Sequence, residues 1–190
     1  SKWLKDNAND RHLRVRANPT QTQTKGAESR LRDRLLKPKR FGSDNKGVVS
    51  AEILEGNIGY LDLRGFYRLS ESKQYIDSAM QLLSNSDAVI VDLRKNGGGS
   101  PRTVQYLCSY FFDQKLLLNS LYFREDDETT DFYVLDEVGG TKMPTTPLYV
   151  LTSKRTFSGA EEFSYNMLTQ ERATLVGETT GGGANPGGTY

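Results

Sequence analysis

Two short apolar runs, each leading through a loop of small residues into a helical pattern, limit what this chain can become. Ala88-Val89-Ile90-Val91-Asp92-Leu93 and Leu148-Tyr149-Val150-Leu151 are too short for helices and read as buried strands of a parallel sheet. The first passes through Gly97-Gly98-Gly99 into helical spacing over 103–112, and the second through Thr152 to Ser158 into a helix over 159–170. Repeated strand–loop–helix units predict an α/β fold with a mostly parallel sheet flanked by helices. Val48–Leu54 and Ile58–Leu63 read as strands joined by a hairpin turn at Glu55-Gly56-Asn57. Tyr75, Ile76, Ala79, Met80 and Leu83 fall on one stripe of a helix over 70–83. Two more strands, over 118–123 and 132–135, flank a solvated acidic turn at 125–128. A last strand over 173–176 precedes a glycine-rich segment, 181–188.

The apolar content, 36% of 190 residues, is enough for one core, and the shortfall sits at the start. Residues 1–46 carry 13 Lys/Arg against 5 Asp/Glu, whereas the remainder carries 12 against 19. A basic arm suggests nucleic acid, but this one has almost no aromatics to stack bases and no nucleic-acid motif follows it. Three regions are expected. Residues 1–18 hold a strand around His12-Leu13-Arg14-Val15-Arg16, 19–47 form a basic linker or lid with a short helix near 27–36, and 48–190 form the core. No apolar run nears the ~20 residues needed to cross a bilayer as a helix. One cysteine, Cys108, excludes an internal disulfide, and no Cys/His cluster suits structural zinc. No metal or cofactor is expected. The chain opens Ser1-Lys2-Trp3 without a signal-peptide pattern and reads as a fragment or a processed form.

Ligands of open α/β sheets collect beyond the carboxyl ends of strands, and two such ends carry chemistry here. Asp92-Leu93-Arg94-Lys95-Asn96-Gly97-Gly98-Gly99 lets backbone approach a ligand closely. It lacks the Gly-Lys-Ser/Thr ending of a phosphate loop, and it also suits a plain tight turn. In Thr152 to Glu161, Ser158 stands where strand gives way to helix, with Gly159 beside it. Two readings stand. Ser158 with Glu161 three residues on fits a capping box. A serine there can equally attack a carbonyl while neighbouring amides, Gly159's among them, hold the developing oxyanion. Such a nucleophile needs a base, and His12 is the one imidazole in the chain. On its strand it shares a face with Arg14 and Arg16, whose charges favour the neutral ring a base requires.

Four segments then occur in order: Ile58-Gly59-Tyr60-Leu61, Val89 to Arg94 with Asn96 and its glycines, Thr152 to Glu162, and Val176-Gly177-Glu178-Thr179-Thr180-Gly181-Gly182-Gly183. Together they resemble the tail-specific (C-terminal processing) serine peptidases. Within that group they are most similar to the branch that contains interphotoreceptor retinoid-binding protein and the tricorn core protease. The similarity covers about residues 10–18 and 48–190. It implies a Clp-protease/crotonase-like core, Ser158 as nucleophile, and an oxyanion hole from the backbone of Gly159 and of the Asn96–Gly99 loop, with Gly98 as the expected donor. Asp10-Arg11-His12-Leu13 resembles the histidine-bearing segment of the tricorn-like branch, which implies His12 as base. The implied partners are peptides or unfolded proteins gripped in extended form by their carboxyl-terminal regions. The family also implies action outside the cytoplasm.

Three departures qualify the resemblance. Ser–Lys members place lysine 25 residues after the serine; that position is Gly183, and no lysine follows Lys154. The tricorn-like branch takes its orienting acid from further downstream than Tyr190, which leaves Glu178 and Asp10 as in-chain stand-ins. The 35 residues between His12 and Val48 are too few for the PDZ-like domain common in processing peptidases. A serine peptidase is the leading expectation. The alternative is a non-catalytic module of the same fold that binds a hydrophobic ligand or peptide, as the retinoid-binding relatives do. A crotonase-like acyl-thioester enzyme ranks third, because its acidic catalytic residues have no counterpart here.

Overall fold

The computed structural model describes residues 45–123 and 127–184. The expected strand around His12, the helix near 27–36, Asp10 and nearly all of the basic 19–47 segment lie outside them. Among the described residues the order is β1 (Val48–Leu54), β2 (Ile58–Leu63), α1 (Leu69–Leu83), β3 (Ala88–Asp92), α2 (Pro101–Cys108), β4 (Leu117–Phe123), β5 (Glu128–Tyr133), β6 (Leu148–Thr152), α3 (Gly159–Thr169) and β7 (Thr174–Gly177). The main sheet runs β1-β2-β3-β6-β7. β1 and β2 form the expected antiparallel hairpin, and β2/β3, β3/β6 and β6/β7 are parallel. β4 and β5 make a separate antiparallel ribbon.

The pleat decides which residues reach the core. Leu61 and Leu63, Val89 and Val91, Leu148 and Val150 are the buried alternates of the three central strands. They share one cluster with Met80 and Leu83 of α1, Val104 and Leu107 of α2, and Phe163 and Met167 of α3. Phe163 bridges Phe66 and Phe111, with ring centroids 6.1 and 6.4 Å apart. The opposite alternates are more open: Tyr60 and Ile90 are half-buried and Tyr149 is exposed. The expectation of strands buried on both faces is therefore met on one face by the described residues.

Two boundaries differ from the sequence reading, each for a physical reason. The helix expected over 103–112 begins at Pro101, where a proline costs no hydrogen bond. It yields to a 3₁₀ turn over Ser109–Phe111, although the residues stay buried throughout. The strand expected over 132–135 is Glu128–Tyr133, shifted back into polar sequence. Only Phe132 of that strand is buried, so ladder pairing with β4 and not apolar alternation sets its limits. Asn45 to Gly47, placed with the linker by sequence, sit on the core: Gly47 O accepts the Arg64 amide, and Lys46 pairs with Glu71 at 3.0 Å.

Candidate active site

The site forms where the loops after β3 and β6 meet. Asn96 fixes the first loop from a fully buried position. Its Nδ2 donates to Leu63 O at 3.0 Å, its Oδ1 accepts the Gly98 amide at 2.8 Å, and its carbonyl accepts the Phe157 amide at 3.1 Å. One side chain and its own backbone thus join the end of β2, the glycine turn and the residue before Ser158. Thr156 adds a second tie, donating from Oγ1 to Leu93 O at 2.8 Å, and Ser153 Oγ donates to Arg94 O at 2.6 Å. Gly99 continues the turn so close to Phe66 that a Cβ would stand 1.9 Å from its carbonyl oxygen.

Ser158 then opens α3 with φ 54° and ψ −124°. That backbone belongs to the first central residue of a type II′ turn, a position glycine normally fills, and it costs a side-chain-bearing residue about 1–3 kcal/mol. Ser158 and Glu161 form a capping box in which the serine side chain faces the Glu161 amide, although that contact falls short of a well-formed side-chain hydrogen bond. The other half of the box is Glu161's, whose Oε2 accepts the Ser158 amide at 2.9 Å. Ser158 therefore presents its hydroxyl from a strained turn at a helix start, held there by only a loose cap contact.

Glu161 does more than cap. Its Oε1 accepts the Gly182 amide and its Oε2 the Gly183 amide, each at 2.7 Å. Burial alone would push this carboxyl up, but hydrogen bonds from Thr180 and from the Gly183, Gly182 and Ser158 amides outweigh it and hold it below the usual range. The late glycine segment is thereby strapped to the nucleophile turn. Glu161→Gln puts an NH₂ against amide donors and should destabilise the protein by ~2–4 kcal/mol. A depressed carboxyl stabilises the fold above its unfolded pKa and loses that contribution as pH falls through the folded one. Melts of both proteins should therefore differ most near neutrality and converge below about pH 4, the ordinary glutamate range. A gap that stays constant with pH would contradict the charge-based account.

The position that carries the lysine in Ser–Lys members is crowded here. A Cβ on Gly183 would meet the Phe157 ring at 2.2 Å, so no lysine fits there without displacing that ring.

A cavity of about 120 Å³ opens beside the serine, lined by Gly99, Pro101, Leu121, Ser158, Gly159, Glu162 and Ala184. Neither the Gly99 nor the Gly159 amide donates to a described acceptor, and a Cβ on Gly159 would lie 3.1 Å from Gly99 N. The fold of these loops is that of a family. A model of peptidase family S41 matches residues 57–186, more than half of the chain. The chain belongs to peptidase family S41. Solved structures of similar fold include a candidate S41 protease from Bacteroides fragilis, at 25% identity and TM-score 0.62 over 73% of this chain and 40% of that one. A peptidase candidate from Parabacteroides merdae matches at 23% identity and TM-score 0.60 over 82% of this chain and 50% of that one. The photosystem II D1 C-terminal processing protease matches at 22% and 0.56 over 72% and 35%. This S41 core therefore spans half or less of the length of those chains.

The expected site residues fall out as follows. Ser158, Gly159 and the Asn96–Gly99 loop come together. His12 and Asp10 lie outside the described residues. Glu178, offered as an orienting acid, is exposed at the end of β7, and its Oε2 accepts the Lys154 amide at 3.3 Å. The Gly98 amide, the expected oxyanion donor, is taken by Asn96, and Gly99 is the residue of that loop that lines the cavity. Sequence reading missed Glu162. It lines the cavity, and burial pushes its carboxyl up to about 7 against the pull of an Asn119 hydrogen bond. Among the described residues no helix is long and apolar enough to cross a membrane, and no cluster of three His, Cys, Asp or Glu could hold a metal ion.

Proposed function

We propose that this S41 core is the catalytic part of a serine peptidase that cuts extended peptides or unfolded proteins near their carboxyl termini, with Ser158 as nucleophile. The observation that carries the reading is the strained backbone of Ser158 at the mouth of a cavity lined by Gly99 and Gly159, whose amides donate to no described acceptor. Strain of this kind persists only when surrounding structure enforces it, and it concentrates at active sites. Asn96 and Glu161 are what enforce it here.

In the proposed reaction Ser158 Oγ adds to the substrate carbonyl carbon as its proton passes to His12. The carbonyl π electrons move onto oxygen, which accepts hydrogen bonds from the Gly159 amide and from the glycine loop. Sequence pointed to Gly98 as the loop donor; the Asn96 bond to that amide favours Gly99, with Gly98 as the residue that brings the turn close. Collapse expels the amine, which takes the proton from the imidazolium, and water then releases the acyl group by the same steps reversed. The 1–18 segment carries His12, and the chain from 19 to 44 connects that segment to the core. The Lys154 contact gives Glu178 a local structural role, so Asp10 is the better in-chain candidate to orient the imidazole.

A fluorophosphonate probe tests this on the full-length protein. It should bond covalently to Ser158, located by mass spectrometry, and His12→Ala should slow labelling by about 10²–10⁴-fold, the usual worth of a general base. Absence of labelling in folded protein, with saturable binding of a fluorescent hydrophobic ligand, would transfer the assignment to the non-catalytic module.

A further inference from the structure

Glu162 lies one helical turn beyond Ser158, on the same side of α3. Its side chain and the serine line one cavity, whose remaining walls are Gly99, Pro101, Gly159, Leu121 of β4 and Ala184. Strand alternation puts Asn119 on the same face of β4 as Leu121, and Asn119 is the polar neighbour that tempers the rise of the Glu162 carboxyl. Two acceptors at this place, Glu162 Oε1 and Asn119 Oδ1, are nonetheless buried without a donor among the described residues. Unsatisfied buried acceptors are uncommon, and a pair of them from different elements beside a reactive serine calls for a missing donor. A carboxylate there gains most from a cation, since burial already resists its ionisation. The apolar walls suit a methylene stem leading to that cation. A water molecule needs roughly 10–15 Å³ by the same measure of cavity volume; about 120 Å³ admits a side chain of several heavy atoms.

We propose that this cavity is a specificity pocket for a basic side chain, lysine or arginine, flanking the scissile bond, with Glu162 as charge partner. The inference rests on the reading of Ser158 as nucleophile for its place in the reaction, and on the cavity alone for its chemistry.

Binding separates the two. In full-length Ser158→Ala protein, affinities are measured by fluorescence anisotropy for labelled Ala-rich nonapeptides carrying one central lysine or one central norleucine. The lysine peptide should bind at least about tenfold more tightly, and Glu162→Gln in the same background should reduce the ratio to near one. Equal affinities, no binding of either peptide up to about 1 mM, or a lysine preference that survives Glu162→Gln would each overturn the proposal. The first two outcomes need no Glu162 variant, so a folding defect in that variant cannot shield the idea. Fluorophosphonate labelling of Ser158 without a lysine preference would remove the pocket and keep the peptidase. A lysine preference without labelling would keep the pocket and remove the peptidase.

Discussion

Ser158→Ala should lower kcat for peptide hydrolysis by the full-length protein by about 10⁴–10⁶-fold with little change in KM, the loss seen when a triad serine is removed while the oxyanion donors and binding surface remain. Thermal stability should stay put. Alanine keeps the Cβ and hence the same backbone strain, and the Ser158 amide still reaches Glu161 Oε2, because that bond belongs to the main chain. The hydroxyl's own cap contact is a loose one that falls short of a well-formed hydrogen bond. This pairing of outcomes divides the two readings of the serine that sequence left open. If Ser158 were only a helix cap, its loss would cost about 1 kcal/mol of stability and leave hydrolysis intact. Retention of more than a few per cent of wild-type kcat, once contamination is excluded by active-site titration, would end the nucleophile assignment.

How far the sequence could be read depends on where each residue's constraint comes from. The strand–loop–helix units were legible because β3, β6, α2 and α3 obtain their burial from local periodicity: Val89 and Val91 alternate, and Ala160, Phe163 and Met167 repeat on one helix face. β5 was misplaced because Glu128 to Asp131 are exposed or half-exposed, so no apolar pattern reports a strand whose order comes from pairing with β4. The switch from α2 to a 3₁₀ turn was invisible because Tyr106 to Phe112 are buried without a break. Glu161 could be noticed by its spacing from Ser158, but spacing announces only a cap. Its hold on Gly182 and Gly183, more than 20 residues away, is a tertiary fact. Glu162 gave no signal at all. An acid next to another acid on a helix reads as solvated, and the polar neighbour this one meets, Asn119 of β4, comes from some 40 residues upstream. The Asn96-Gly97-Gly98-Gly99 loop is the intermediate case: its openness to a ligand was legible, and the division of labour among its glycines was not.

That division supplies the second large effect. Gly97 has nothing within 4 Å of the position of an added Cβ, whereas a Cβ on Gly98 would stand 2.6 Å from both Gly159 N and Phe157 O and 2.7 Å from Ser158 Cβ. Gly98 also sits at φ 91°, where side-chain-bearing residues are strained regardless of space. Two of its three neighbours are main-chain atoms at the start of α3, and the third is the Cβ of the serine. No flexible side-chain end can swing aside, so the loop or the helix start must move. An oxyanion held by the Gly159 amide would need the space about 2.7–3.1 Å from that nitrogen, which the methyl would crowd. A shift near 1 Å in reacting groups costs around 10²-fold. Gly98→Ala should therefore slow fluorophosphonate labelling of Ser158 by at least about 100-fold and lower stability by ~2–4 kcal/mol, the range of backbone-strain and overpacking changes. Gly97→Ala should leave both within about twofold and ~0.5 kcal/mol, as surface changes do. Adjacent residues of one type, in one loop, are thus expected to differ by two orders of magnitude. Labelling of Gly98→Ala at the wild-type rate would mean that the loop does not abut the serine, and the oxyanion assignment to Gly99 and Gly159 would fall with it.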